Sequence, residues 1–431
     1  MLEYREISVD CKPVVASNGP LPPKMKSRMK SRTKEFDMFG LSEMIHENSN
    51  DYDSIPFSLS RKVVEKGRQE IKKIGFYFEE NAVAKLHLRE LELGPLLGSG
   101  GFSDVFEITQ IKPCRQVDSM LRSDESKLRN RLVTSFSDNV SFMWCPYAVK
   151  ILRRKLVNDP KKFASGAVDL LLEGAYLSAL EHPNILKLHG ISADGPEGFY
   201  DGRHDSYFLI VDRLTETLED RIVRWRKMDK KLNSPWCRGM DRKGRKINLF
   251  MMERLKVAAD IASAVTYIHS KRIIYRDLKP ANIGFDIENK VKVFDFGLCD
   301  KLPEGKDGGF HVVHALPGGI GTYGYMSPEM AENQSYNQAT DVFSFGMVLF
   351  EILSLNRPVL LEGQKVVNTA DICLCDQWTE PIRKALLQSW SSVISERPTM
   401  DAFLNVIRDT ISKLESDINP CAKTRKLFHN N

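Results

Sequence analysis

The sequence predicts an α+β chain of two lobes: a small β-rich one with one key helix, then a larger helical one, with a cleft between them. Three observations predict it. Between residues 91 and 214, short apolar runs bounded by glycine and polar turns read as strands. Beyond 214, apolar residues return every three or four positions, the period of helices. In the first half, the segment 163–181 breaks the strand texture with the helical period.

In chain order, residues 1–88 are expected to form a basic, largely disordered extension. The first 60 are rich in Ser, Asn, Pro and Lys without a sustained period, and 61–80 have the composition of a short basic helix. "LELGPLLGSGGFSDVFEITQI", residues 91–111, reads as strand, glycine turn, strand. The polar stretch 112–144 has no pattern and is expected to be an inserted loop. "YAVKIL", 147–152, is a strand. In 163–181, Val168, Leu171, Leu172, Ala175 and Ala179 share one helix face. "YFLIVDRL", 207–214, is another strand. A basic insertion at 226–248 precedes a long buried helix at 249–270, marked by Leu255, Ala258, Ile261, Ala262, Val265 and Ile268. "DVFSFGMVLFEIL", 341–353, is apolar nearly all round and should be central; 399–415 is an amphipathic closing helix. The folded domain is thus expected over 89–415, its first lobe at 89–212 and its second at 215–415, with a tail at 416–431.

The chain has 431 residues, 42% hydrophobic and 28% charged, enough for a large core. No apolar run approaches the roughly 18 to 20 residues of a membrane span, and the N-terminus does not read as a secretory signal. Eight scattered cysteines, with Cys373 and Cys375 a lone C-x-C, read as free thiols in a reducing compartment. The net charge of +5 is modest but clustered. Residues 24–34 hold six Lys or Arg and no acid, and 224–246 hold ten against two Asp. Such runs can contact nucleic acid or acidic lipid or act as a nuclear address, but a solvated tail or loop is the preferred reading.

Three segments carry chemistry. In "LGSGGFSDV", 97–105, a glycine turn between strands lets backbone N–H groups approach phosphates. In "AVK", 148–150, a lysine in an apolar strand requires an anionic partner, since burying an unpaired ammonium is costly; Glu173 is the candidate. In "RIIYRDLKPANIGF", 272–285, Asp277 can take a proton from or orient a hydroxyl, Lys279 can neutralise a transferring phosphate, and Asn282 offers an oxygen to a hard cation. Asp295 of "VFDFGL", eighteen residues after Asp277, adds a second acid.

With "GTYGYMSPE" and "DVFSFG" following in order, the set resembles the eukaryotic protein-kinase family, Ser/Thr type and similar to its tyrosine-kinase-like subgroup, over residues 90–412. The resemblance implies the bilobal protein-kinase fold, with ATP and Mg2+ in the cleft and protein substrates. It implies roles residue by residue. Gly98, Ser99, Gly100, Gly101, Phe102, Ser103 and Val105 would cover the ATP phosphates, and Leu97, Val105 and Ala148 would roof the adenine. Lys150 would hold phosphates while paired with Glu173. Asp212 to Leu214 would be the hinge that meets the base through the backbone, with Val211 as gatekeeper. Asp277 would be the catalytic base, Lys279 would sit beside the γ-phosphate, and Asn282 and Asp295 would bind magnesium. Glu329 would pair with Arg397, and Asp341 would anchor the catalytic loop. The location implied is cytoplasmic, with a nuclear alternative carried by 24–34.

Some residues depart from the family pattern. Tyr275 replaces a histidine, an architectural change. Gly284 stands where a leucine usually floors the adenine site, so a roomier floor and weaker nucleotide binding are expected. Residues 298–321 contain no Ser, Thr or Tyr, so no primary activation-loop phosphate is expected. Arg276 is expected to face Glu304 or Asp307, or to be unpaired, and Thr322 to contact Asp277 and Lys279. A non-catalytic scaffold is the competing reading, with Gly284 as its support.

Overall fold

The computed structural model describes residues 54–75, 83–114, 123–140, 145–241, 244–303, 312–358, 372, 374–375 and 378–418. All belong to one compact unit, Leu41–Asn431. The basic cluster at 24–34, Glu304, Asp307 and Cys373 lie outside the described residues.

The small lobe is a six-stranded sheet in the order β1 (Ala84–Leu86), β5 (Leu188–Ser192), β6 (Phe208–Asp212), β4 (Tyr147–Leu152), β3 (Ser103–Ile111) and β2 (Leu91–Ser99). All pairs are antiparallel except β1 with β5. Residues before 89, read from the sequence as extension, therefore add a strand. They also add a helix, α1 (Phe57–Lys73), whose Leu59, Val63, Val64 and Ile71 are buried.

Helix α1 changes the environment of α3 (Pro160–Ala179). Asp159 caps α3, accepting from the Lys162 N–H at 3.2 Å, and Pro160 starts it with its φ already set. One apolar face was expected, yet α3 is buried nearly all round, from Phe163 to Leu177. The reason is that α1 covers its outer side. A Cβ added to Gly67 of α1 would meet Leu171 Cδ1 at 2.5 Å, so the glycine allows the helices to close on one another.

The 112–144 stretch, expected as a loop, contains helix α2 (Ser123–Val140). Its apolar period is faint because, among its described side chains, Leu132 is the one hydrophobic residue that is deeply buried, packing with Leu86, Leu91 and Ile108. The helix is fastened by charge instead. Arg129, 1% exposed, ion-pairs with Glu90 and donates to the Lys85 carbonyl at 3.0 Å.

The large lobe is helical. The 226–248 insertion is not a separate loop among its described residues: α4 (Leu218–Leu232) runs through its start, α5 (Pro235–Met240) follows, and α6 (Arg245–Ser270) begins within it. Thr217 and Asp220 form a reciprocal capping box on α4. Helix α7 (Pro328–Ala331) is a single turn. Helix α8 (Ala339–Ser354) is buried from Ala339 to Leu353, the central position its composition predicts. Helices α9 (Glu380–Ser389) and α10 (Met400–Ile418) close the lobe. At the lobe boundary a three-stranded sheet runs β10 (Val291–Val293), β9 (Ile283–Asp286), β7 (Leu214–Thr217), and β8 (Ile273–Ile274) pairs with β11 (Asp300–Lys301).

Candidate active site

The glycine turn joins β2 to β3. Gly100 N–H donates to the Ser103 carbonyl at 2.8 Å, Ser99 Oγ donates to Asp104 at 2.6 Å, and Arg153 Nη1 donates to the Gly100 carbonyl at 2.9 Å. A Cβ at Gly98 or Gly101 would meet nothing within 4 Å, so this edge is open to a ligand. Phe102 packs instead against Gly166 of α3, where an added Cβ would stand 2.8 Å from Phe102 Cβ. Val105 lies beside Lys150 in the β3–β4 register, and Ala148 beside Val211 of β6.

Lys150 Nζ sits 2.5 Å from Glu173 Oε2 of α3 and 3.7 Å from Asp295 Oδ1. Burial by itself would lower the ammonium's pKa; the Glu173 and Asp295 carboxylates outweigh it and push the value up to about 12. The lysine is therefore a fixed positive charge at neutral pH.

The catalytic loop hangs from Asp341 of α8, which is fully buried. Its carboxylate accepts from the backbone N–H of Tyr275 and of Arg276, each at 2.8 Å, and lies 2.8 Å from His269 Nε2. Those bonds hold Arg276 at φ +69°. Asp295 likewise has φ +70°. Such backbone costs energy and persists only where the surroundings over-determine it. Tyr275 packs edge-on to Phe296 with centroids 5.4 Å apart, and its hydroxyl donates to the Phe294 carbonyl.

Four side chains then converge. Asp277 Oδ2 accepts from Lys279 Nζ at 2.7 Å and from Asn282 Nδ2 at 2.9 Å, and Oδ1 accepts from the Thr322 hydroxyl at 2.7 Å. Lys279 Nζ also donates to Thr322 Oγ1 at 2.7 Å. Burial pushes the Asp277 carboxyl up, against the pull of Lys279 and Thr322. Asn282 spends its amide hydrogens on Asp277, including the Asp277 carbonyl at 3.0 Å, which leaves Oδ1 to serve as a ligand. Among the described residues no group of three His, Cys, Asp or Glu is arranged to hold a metal. The donors at hand, Asn282 Oδ1 and the half-exposed Asp295, are two hard oxygens of the kind that bind magnesium jointly with phosphate.

The hinge is fixed by its side chains. Asp212 is tied by its carboxylate to His189 at 2.7 Å, to Lys292 at 3.1 Å and to the Lys187 N–H at 3.1 Å. Burial would raise its pKa, but His189 and Lys292 hold it below the usual range. Leu214 packs across Gly284, so the roomier floor expected from the glycine is not there.

Arg276 is not unpaired, and its partners among the described residues are other than the expected Glu304 and Asp307, which lie outside them. It is 6% exposed and its guanidinium meets Asp300 Oδ2 at 3.2 Å, Tyr336 Oη at 3.3 Å and the carbonyls of Leu298 at 2.5 Å and Cys299 at 3.2 Å. The acid that serves it lies on β11, five residues after Asp295. Glu329 and Arg397 do meet, in a buried two-pronged pair at 2.6 and 2.8 Å.

A family model described as a protein kinase domain matches residues 144–413. The chain belongs to the protein kinase family. It is similar to serine/threonine-protein kinase BIK1 of Arabidopsis thaliana, 31% identical over 61% of this chain and 65% of the relative. It is also similar to the probable serine/threonine-protein kinase PBL25 of Arabidopsis thaliana, 27% identical over 75% and 63%. A third is the probable serine/threonine-protein kinase gdt4 of Dictyostelium discoideum, 28% identical over 69% and 16%. The chain thus spans less than two thirds of each of these relatives' own length. The α+β architecture is accordingly the bilobal kinase fold.

Two residues of this kinase domain escaped the sequence reading. Asp300 has no motif to mark it. Asp169 stands four residues before Glu173, hence on the same face of α3. It packs beside Gly297, where an added Cβ would stand 3.4 Å from Asp169 Cβ, and its buried Oδ1 has no hydrogen-bond partner among the described residues. Burial, with Asp295 and Glu173 nearby, pushes its carboxyl well above the usual range. The helical period alone could have found it.

Proposed function

We propose that the chain is a protein serine/threonine kinase, transferring the γ-phosphate of Mg-ATP to Ser or Thr hydroxyls of protein substrates. One observation carries this reading. Asp277, Lys279, Asn282 and Thr322 form a single hydrogen-bonded cluster, near enough to Asp295 that its charge raises the Asp277 carboxyl.

Lys150 binds the α- and β-phosphates, oriented by Glu173. The backbone of 98–105 covers the phosphates. Asp277 orients the acceptor hydroxyl and takes its proton; the Thr322 hydroxyl already donating to Oδ1 supports that role. Lys279 offsets charge on the transferring group. A divalent cation held by Asn282 and Asp295 would supply further neutralisation of the phosphates. Positioning and fixed charge account for most of the acceleration in such a transfer.

The reading extends to a cytoplasmic location, with the 24–34 cluster carrying the nuclear alternative. Among the described residues no helix is long and apolar enough to cross a membrane. The basic segments are assigned no nucleic-acid or acidic-lipid partner; steeply salt-dependent binding to either would reverse that.

The test is transfer of labelled γ-phosphate from Mg-ATP to a generic basic protein, wild type beside Asp277→Asn. Transfer by the wild type and its loss, by about 100-fold or more, in the variant is the expected result. Nucleotide binding without transfer in either protein would favour a scaffold.

A further inference from the structure

Residue 284 lies on the cleft side of β9. Its neighbours Ile283 and Phe285 are fully buried, and the Arg221 guanidinium sits 3.7 Å over the Phe285 ring. Strand alternation turns residue 284 to the other face. Its register partner Lys292 shares that face and reaches Asp212 of the hinge at 3.1 Å. A glycine here, two residues after Asn282, should leave a gap the size of a side chain.

The gap is filled from another strand. Leu214 opens β7, which pairs with β9. A Cβ built on Gly284 would stand 2.7 Å from Leu214 Cδ1 and 3.3 Å from its Cγ, closer than packed carbons come. Gly284 does not have a left-handed φ. What chiefly excludes a side chain at 284 is therefore Leu214 and not the residue's own φ, with the Glu216 carbonyl oxygen a looser neighbour at 3.3 Å. Leu214 also lines a 430 Å³ cavity together with Leu97 of β2, Arg213, Thr215 and Ile287. Leu97 and Leu214 are thus two branched apolar side chains, one from the small lobe and one from the hinge strand, bordering one opening.

We propose that Leu214 supplies the apolar floor of the nucleotide-base site in place of the side chain missing at 284, and that the base is held between Leu97 and Leu214. This rests on the reading of the cleft as an ATP site. A flat heteroaromatic ring is apolar on both faces and gains by leaving water on both. The floor then belongs to the hinge strand and moves with it. Gly284 becomes the partner of Leu214 and not a defect, so nucleotide affinity is preserved.

The experiment measures binding of a fluorescent ATP analogue with magnesium to the full chain in four forms: wild type, Leu214→Ala, Gly284→Leu and the double variant. Leu214→Ala should weaken binding about tenfold, the equivalent of about 1.4 kcal/mol. In phosphoryl transfer its KM for ATP should rise with kcat unchanged, as for an interaction equal in ground and transition states. Gly284→Leu should bind poorly and melt lower, because the two leucines collide. The double variant should recover to within about threefold of wild type, since leucine then floors the site from β9. Leu214→Val, which keeps a branched face, should lose less than Leu214→Ala; it keeps the test open should Leu214→Ala fail to fold. Binding by Leu214→Ala within twofold of wild type would overturn the proposal, as would a double variant no better than Leu214→Ala. A wild type that does not bind Mg-ATP at all would overturn the reading of the cleft itself, a distinct result.

Discussion

Arg276 illustrates how much one side chain can decide. A buried guanidinium without an anion is costly, and in this kinase domain Asp300 supplies the anion as a fixed part of the chain. The stretch 298–321 contains no Ser, Thr or Tyr to carry an added phosphate. Asp300→Ala should therefore lower transfer activity by at least about tenfold, through loss of order in β11 and the Leu298–Cys299 turn that Arg276 ties down. Phosphatase treatment of the wild type should leave activity unchanged. A rate assay on treated, untreated and variant protein checks both, and a large loss after phosphatase would be the contrary outcome. Arg276 was legible in the sequence, but its partner was not. Asp300 lies 24 residues further on, and nothing local distinguishes it from Glu304 or Asp307.

At the scale of elements, α1 is the part whose role the sequence understated. The sequence placed a short basic helix at 61–80 in a largely disordered extension, yet one stripe of α1 covers α3, the helix that carries Glu173. Displacing α1 should act on catalysis through the Lys150–Glu173 pair. Gly67→Val puts a branched side chain where a Cβ already meets Leu171 Cδ1 at 2.5 Å, and overpacking of this kind costs about 1 to 3 kcal/mol. The expected outcome is a lower melting temperature with reduced transfer activity, measured on the same preparation. Unchanged activity would mean that α3 holds its place without α1. Helix α2 follows a similar logic. Arg129→Leu would leave Glu90 as a buried carboxylate without its ion-pair partner, and a loss of about 3 kcal/mol in denaturant unfolding is expected.

Over the whole molecule, the Glu329–Arg397 pair ties the segment after the activation loop to the last helices across 68 residues of sequence. Burial would raise the Glu329 carboxyl, but the hydrogen bonds and charge of Arg397 hold it below its ordinary 4.5. A carboxyl lowered by folding contributes stability that is present above the unfolded value and lost as pH falls through the folded one. Glu329→Gln should thus cost about 3 kcal/mol at pH 7, and the gap from wild type should narrow progressively below pH 4.5. Thermal melts of both proteins between pH 7 and 3 measure this; a gap independent of pH would assign the loss to packing alone.

What the sequence by itself determined is what local chemistry encodes. The Gly98–Gly101 turn, the Lys150 strand and the Asp277–Asn282 loop are contiguous patterns, each needing particular residue types at short spacing. The strand and helix periods divided the lobes for the same reason. Only the tertiary structure decided the pairings across long stretches of chain: Asp300 for Arg276, Leu214 over Gly284, α1 on α3, Arg129 on Glu90. In each case a gap or a charge in one segment is answered by another that is distant in sequence. Packing density and the cost of an unpaired buried charge require that some answer exist, but a single sequence does not say which residue gives it.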